Sequence, residues 1–253
     1  MNSLFVAWRP ATPDRAGWRP VGRLEHDGEL YRFVYTRGAR KPGFQPFRGM
    51  ESIDQVYESE KLLPLFANRL LPKSRPEYEE FLRWGGFDSA NSPDPILVLG
   101  VTEGIRQTDA VEVFPCPVPD SQGCYFNKFF LHGIRWLPPA AIERISRLTE
   151  GESLKLLPDL QNDHDPQAVA VRTEVERTLI GYVPRYFAND VGQLIQECGI
   201  SFMELFVDQV NRDAPLQNRV LCRMRSCWPE DFQPCGGDDF VPIPDVVAAE
   251  CHV

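Results

Sequence analysis

The sequence predicts an α+β protein in two parts: a small N-terminal α+β domain, then a small β-barrel with one or two helices. Three observations carry this expectation. A hairpin signal lies between residues 21 and 35, and helical periodicity is confined to short stretches between 62 and 84. Beyond residue 124, short apolar runs recur with few helices between them, as in a closed or partly closed barrel.

In the first half, Leu4-Phe5-Val6-Ala7-Trp8 reads as a strand, followed by a loop with two prolines from Arg9 to Gly17. Val21 to Leu24, a turn at Asp27-Gly28 and Leu30 to Tyr35 read as an antiparallel hairpin, because Asp-Gly suits the tight turn that two strands need. Leu62, Leu63, Leu65, Phe66, Leu70 and Leu71 have helical spacing up to Pro72. A second helix is expected through Tyr78, Phe81, Leu82 and Trp84, with Gly85-Gly86 beyond its end. Strands at Ile96 to Leu99 and at Ala110 to Phe114 complete the expected unit. Cys116 to Gly123, with two prolines and a glycine, is the expected linker.

In the second half, Phe126 to Trp136 reads as a strand and Pro139 to Leu148 as a short helix. Leu154 to Leu157, Ala168 to Val171 and Leu179 to Val183 read as strands, and Ala188 to Cys198 as a helix. Met203 to Asn211 and Arg219 to Trp228 make a final hairpin. The expected boundaries are 1–115, 124–230 and a C-terminal strap or tail at 231–253.

A hydrophobic fraction of 43% and a charged fraction of 25% suit a globular protein with a buried core. No apolar run approaches the ~20 residues that span a bilayer, and the N-terminus lacks a signal-peptide pattern. A cytoplasmic protein without membrane contact is expected. The seven cysteines form no CxxC pair and read as reduced, structural thiols without zinc. The net charge of −9 argues against wrapping duplex DNA, which needs clustered Lys and Arg. The charge is uneven: residues 1–48 hold nine Arg/Lys and four Asp/Glu, whereas 121–253 hold twelve and nineteen. Nucleic acid held by the second half must therefore be gripped by a few residues over a few nucleotides.

The stretch from Pro158 to Phe187 is the most informative. A polar turn (Asp159, Gln161, Asn162, Asp163, His164, Asp165) leads into one strand, and a second strand closes at Tyr182-Val-Pro-Arg185. Arg135-Trp136 ends the first strand of this half, and in a small barrel that end can face the turn. Trp136 offers a stacking face and Arg135 a phosphate fork. Asn162 and His164 can hydrogen-bond a sugar or phosphate. Asp165 repels phosphates but accepts a hydrogen bond from a terminal hydroxyl. Each residue also has a plain structural reading: Trp136 as a barrel plug, Asn162 and Asp165 as turn caps, Tyr182 and Arg185 as rim packing.

Catalytic patterns are missing: there is no phosphate-binding G-x-x-x-x-G-K-[ST] loop, no kinase signature and no G-x-S-x-G elbow. A non-enzymatic protein without cofactor is expected. The rival enzyme reading is a metal-dependent nuclease using Asp159, Asp163 and Asp165.

Taken jointly, Gly133-Ile-Arg-Trp136, Asn162-Asp-His-Asp165-Pro-Gln-Ala168 and Ile180-Gly-Tyr-Val-Pro-Arg185 resemble the HIRAN domain over roughly residues 126–228. The resemblance implies an OB-like β-barrel that recognises the free 3′ end of single-stranded DNA. It places Arg135 on the backbone, Trp136 on the terminal base, His164 at an aromatic stacking position and Asp165 on the 3′-hydroxyl. Asn162, Tyr182 and Arg185 would line the pocket.

Leu65-Phe-Ala-Asn-Arg-Leu-Leu-Pro72, with the strands before it, is similar to the N-terminal subdomain of HipA-type kinases. That similarity implies a protein-interaction module at 1–115, with a helicase, a nuclease or a HipA-type kinase as partner. DNA repair is the role expected for the first reading. The alternative is a protein–protein regulator or antitoxin-like partner of such a kinase.

Overall fold

The computed structural model describes residues 2–10, 17–106 and 108–244. It is α+β with two antiparallel sheets, each in its own compact unit. Of the described residues, 2–70, 95–116 and 236–244 form the first unit, and 71–94 with 117–235 the second.

The first unit holds a five-stranded sheet of β1 (Asn2–Trp8), β2 (Arg19–His26), β3 (Tyr31–Tyr35), β4 (Tyr57–Ser59) and β5 (Val111–Pro115), in the order β4-β3-β2-β1-β5. The Asp27-Gly28 hairpin forms as expected. Asp27 Oδ1 accepts the backbone N–H groups of Glu29 and Leu30, each at 2.9 Å, and Gly28 takes φ 106°, where a side chain would strain. Leu24, Phe33, Tyr35, Phe66 and Leu99 build its core. The Tyr35 hydroxyl donates to Met50 O and accepts from Phe47 N, both at 2.7 Å, and burial pushes its phenol up to about 12.

Three expectations in this region are corrected. The helix expected at 62–71 is a single turn, α1 (Pro64–Ala67). Arg69 beyond it turns inward: its guanidinium, 1% exposed, donates to the carbonyls of Gly104 and Val111 and pairs with Asp109 at 2.8 Å. The expected strand at Ile96–Leu99 is helical (Pro95–Thr102, α3 once the helix at 78–84 is counted). A short, continuously apolar run suits a buried helix as well as a strand, and Pro95 at its start favours the helix. Residues 71–94, expected with the first half, pack in the second unit through α2 (Tyr78–Trp84). There the side-chain amides of Gln209 and Asn211 donate to the carbonyls of Arg83 and Trp84 at 2.8 and 2.9 Å.

The second unit is a curled six-stranded sheet of β6 (Cys124–Phe130), β7 (Ser153–Pro158), β8 (Val169–Thr173), β9 (Leu179–Tyr182), β10 (Glu204–Val210) and β11 (Val220–Cys227). The order is β6-β11-β10-β7-β8-β9. The chain just past β6 meets β9: His132 N donates to Tyr182 O at 2.9 Å, and Tyr182 N to His132 O at 3.0 Å. That bridge joins the two edges, so the sheet is a partly closed barrel. The closure explains why the strand expected to reach Trp136 stops early. Gly133, at φ 75°, turns the chain out of the sheet, and Ile134–Trp136 form a 3-10 turn.

Two helices accompany the sheet, α4 (Pro139–Ser146) and α5 (Arg185–Cys198). Helix α5 starts three residues earlier than its apolar spacing suggests, because Pro184 precedes its first turn. It buries Phe187, Ala188, Val191 and Leu194 against the barrel. The expectation of wholly reduced thiols is corrected by a disulfide between Cys198 and Cys227, with Cα atoms 6.3 Å apart. It ties the last residue of α5 to the last of β11 and closes a 29-residue separation, worth about 3–4 kcal/mol in the chain-entropy account. Sequence spacing gave no sign of a pair so far apart.

Residues 229–244 divide. Phe232 packs on Tyr125 and Trp228 in the second unit. Residues 236–244 lie on the first unit, where Ile243 N donates to Tyr35 O at 2.8 Å and Asp238 and Asp239 pair with Arg37 and Lys41. Residues 245–253, the remainder of the expected strap or tail, fall outside the described residues. Among the described residues no helix is long and apolar enough to cross a membrane.

Two predictions follow from the second unit. A Cβ at Gly181 would lie 3.0 Å from both His132 O and Leu131 Cβ, so Gly181→Ala forces the barrel closure apart. Urea denaturation should show a loss of about 1–3 kcal/mol. Asp190 on α5 is buried and accepts Cys235 N–H at 3.2 and 3.1 Å, and its burial pushes the carboxyl from the usual 3.8 up to about 6. The folded protein then keeps a proton that the unfolded chain has released, so stability falls as pH rises from about 4 to about 6. Denaturation of Asp190→Asn across that window should lack this component, worth about 3 kcal/mol.

Candidate functional site

The polar turn between β7 and β8 is held by its own side chains. Asn162 Oδ1 accepts the backbone N–H groups of His164 and Asp165, each at 3.0 Å, and its Nδ2 donates to Asp159 Oδ2 at 3.1 Å. Asp165 Oδ1 accepts Gln167 N–H at 3.0 Å. This is the turn chemistry that Asx side chains favour, so the plain reading of Asn162 as a turn cap is correct for its carbonyl. Asp159, which the sequence places in the polar turn and among the nuclease acids but not among the pocket residues, is the hub of the turn. Its Oδ2 also accepts the Tyr182 hydroxyl at 3.2 Å. Burial, and the Asp159 carboxylate second, raise the Tyr182 phenol above its usual range and keep it a hydrogen-bond donor.

The other edge of the turn meets α5. Arg185 Nε lies 3.1 Å from Asp165 Oδ2, and its terminal nitrogen donates to His164 O at 3.2 Å. Both side chains of the pair are largely covered. Asp165 still has acceptor capacity, since a carboxylate offers about four lone-pair positions. His164 presents its side chain to solvent.

Arg135 and Trp136 stand on the 3-10 turn beyond β6, not on the strand. The turn is seated by Gly133, whose Cβ, if present, would lie 3.0 Å from the Tyr182 ring. Trp136 is 77% exposed, which overturns the barrel-plug reading, and the Arg135 guanidinium sits 4.6 Å from its ring centroid. Tyr182 therefore connects two groups: its ring supports the Gly133–Trp136 turn and its hydroxyl braces the Asp159–Asp165 turn. Asn162, Asp165, Tyr182 and Arg185 are linked by hydrogen bonds and an ion pair. Arg135 and Trp136 connect to them through Gly133 and Tyr182.

The three acids of the nuclease reading do not converge. Asp159 is engaged by Asn162 and Tyr182, Asp165 by Arg185 and Gln167, and Asp163 is exposed. Among the described residues, no group of three His, Cys, Asp or Glu side chains is placed to hold a metal ion.

The HIRAN domain family model matches residues 125–225, which contain every residue of this site. Two solved structures show low similarity. A crystal structure of a protein from Lactobacillus plantarum is 15% identical with a TM-score of 0.32, covering 41% of this chain and 99% of that one. The crystal structure of the HIRAN domain of human HLTF is 14% identical with a TM-score of 0.33, covering 47% and 92%. No curated protein matches the chain. The family match does not reach residues 1–115, where the HipA-type likeness finds no support. Residues 125–225 of this chain are a HIRAN domain.

Proposed function

We propose that this chain is a non-catalytic reader of single-stranded DNA 3′ ends. The observation that carries the reading is the exposed Trp136 indole with the Arg135 guanidinium over it, an open aromatic platform. A terminal base stacks on Trp136, and Arg135 reaches the adjoining phosphate. The terminal 3′-hydroxyl donates to Asp165, whose charge is partly balanced by Arg185. The second amide proton of Asn162 and the ring of His164 contact the sugar, and Tyr182 holds the two turns at a fixed spacing. A chain that continued past this point, or ended in a phosphate, would set an anion against Asp165.

Residues 1–115 take the recruiting role in this reading, engaging a helicase, a nuclease or a HipA-type kinase through their basic first 48 residues. Pull-down of such a partner by the full chain, lost at high salt, supports that role; binding unaffected by salt overturns its electrostatic basis.

Fluorescence anisotropy with short oligonucleotides tests the site. The 3′-hydroxyl form should bind at least about tenfold more tightly than the 3′-phosphate form, as expected for one charge-assisted hydrogen bond replaced by repulsion. Trp136→Ala should weaken binding by about 1–3 kcal/mol without altering the melting temperature. Equal binding of the two ends would overturn the role of Asp165, and unchanged binding by Trp136→Ala the stacking role.

A further inference from the structure

On the side of the polar turn next to α5 there is a cleft of about 410 Å³. Its size falls within the range of about 300–1,000 Å³ that small ligands occupy. Leu160 and Pro166 wall it from the turn, and Asn189, Gly192 and Gln193 from the helix. No charged side chain lines it, but four carboxamides do: Gln167, Asn189, Gln193 and Gln196. Gln167 Nε2 donates to Asn189 Oδ1 at 3.0 Å across the cleft.

Gly192 is the telling residue. It lies in the interior of α5, where glycine is less stable than alanine by about 1 kcal/mol. No positive φ calls for it, and a Cβ there would meet nothing within 4 Å. Neither backbone conformation nor packing within the protein accounts for a missing side chain. Its effect is to leave the floor of the cleft open to the helix backbone, which is what close approach of a ligand requires.

The cleft also adjoins the end-binding site. Arg185, Asn189 and Gln193 follow one another at four-residue steps along one side of α5, and Gln167 is two residues from Asp165. We infer that this cleft receives the base of a nucleotide upstream of the terminal one, an inference that rests on the end-binding reading above. The base is planar and uncharged, as the lining demands. Its faces meet Leu160 and Pro166, and its edge meets the carboxamides. Asn and Gln pair in two-point fashion with adenine N6 and N7, so adenine is the preferred occupant.

An abasic scan through the four 3′-terminal nucleotides, read by anisotropy on the wild-type chain and on Gly192→Leu, tests this. In the wild type one upstream abasic position should weaken binding about tenfold, and adenine there should bind best. Gly192→Leu fills the cleft: it should lose that sensitivity, retain discrimination between 3′-hydroxyl and 3′-phosphate, and stay folded. Gly192→Ala should raise the melting temperature by about 2–4 °C while weakening binding. End-specific binding with a flat upstream scan, or a scan unchanged in Gly192→Leu, overturns the cleft assignment and leaves the end-binding reading intact. Failure of any oligonucleotide to bind overturns both.

Discussion

The backbone bridge between His132 and Tyr182 is the constraint on which the second unit depends. A six-stranded sheet curled this far has two exposed edges, and each leaves unpaired N–H and C=O groups. Two hydrogen bonds at 2.9 and 3.0 Å join those edges at one point. The approach is close enough that Gly181 and Gly133 on either side of Tyr182 have no room for larger residues. Once the edges meet there, the chain after β6 must leave the sheet, and Gly133 at positive φ turns it. The 3-10 turn bearing Arg135 and Trp136 is the direct consequence. Barrel closure and placement of the candidate platform are thus one event.

Tyr182 extends that constraint to the polar turn. Its hydroxyl bonds to Asp159, which also anchors Asn162, which in turn accepts the N–H groups of His164 and Asp165. From the Tyr182 hydroxyl to Asp165 every step is a hydrogen bond, the first across 23 residues of sequence and the rest within the polar turn. Arg185 completes the frame from the first turn of α5. Such a network favours a single geometry, because breaking any member leaves a partly buried polar group without its partner.

The legible parts of this molecule were those governed by local chemistry. Asp27-Gly28 specifies its hairpin because an Asp side chain and a glycine φ settle a turn by themselves. The same holds for Asn162 and Asp165, so the site turn could be read from a few residues. What the sequence did not disclose depends on contacts distant along the chain. The run Ile96–Leu99 is equally apolar as strand or helix, and burial decided it. Cys198 and Cys227 meet only because α5 and β11 end side by side. Trp136 as plug or platform could not be chosen from its neighbours in sequence; the bridge between His132 and Tyr182, residues 50 apart, chose it. The cleft at Gly192 was invisible for the same reason, since it needs both the turn and the helix in place.

The net charge of −9 bears on this site less than it first suggests. Long-range repulsion between the chain and a polyanion is screened over about 8 Å at physiological salt, whereas Asp165 and Arg185 are 3.1 Å apart and largely covered. At that range Arg185 offsets part of the field of Asp165, and the carboxylate remains a directional acceptor. In the end-binding reading proposed above, Arg135 meets the phosphate of the strand while Arg185 is engaged with Asp165. Under that reading, this arrangement disfavours the long flank of a strand and tolerates its last residue. Selectivity for an end then follows, on the same reading, from the distribution of charge, with affinity left to stacking on Trp136.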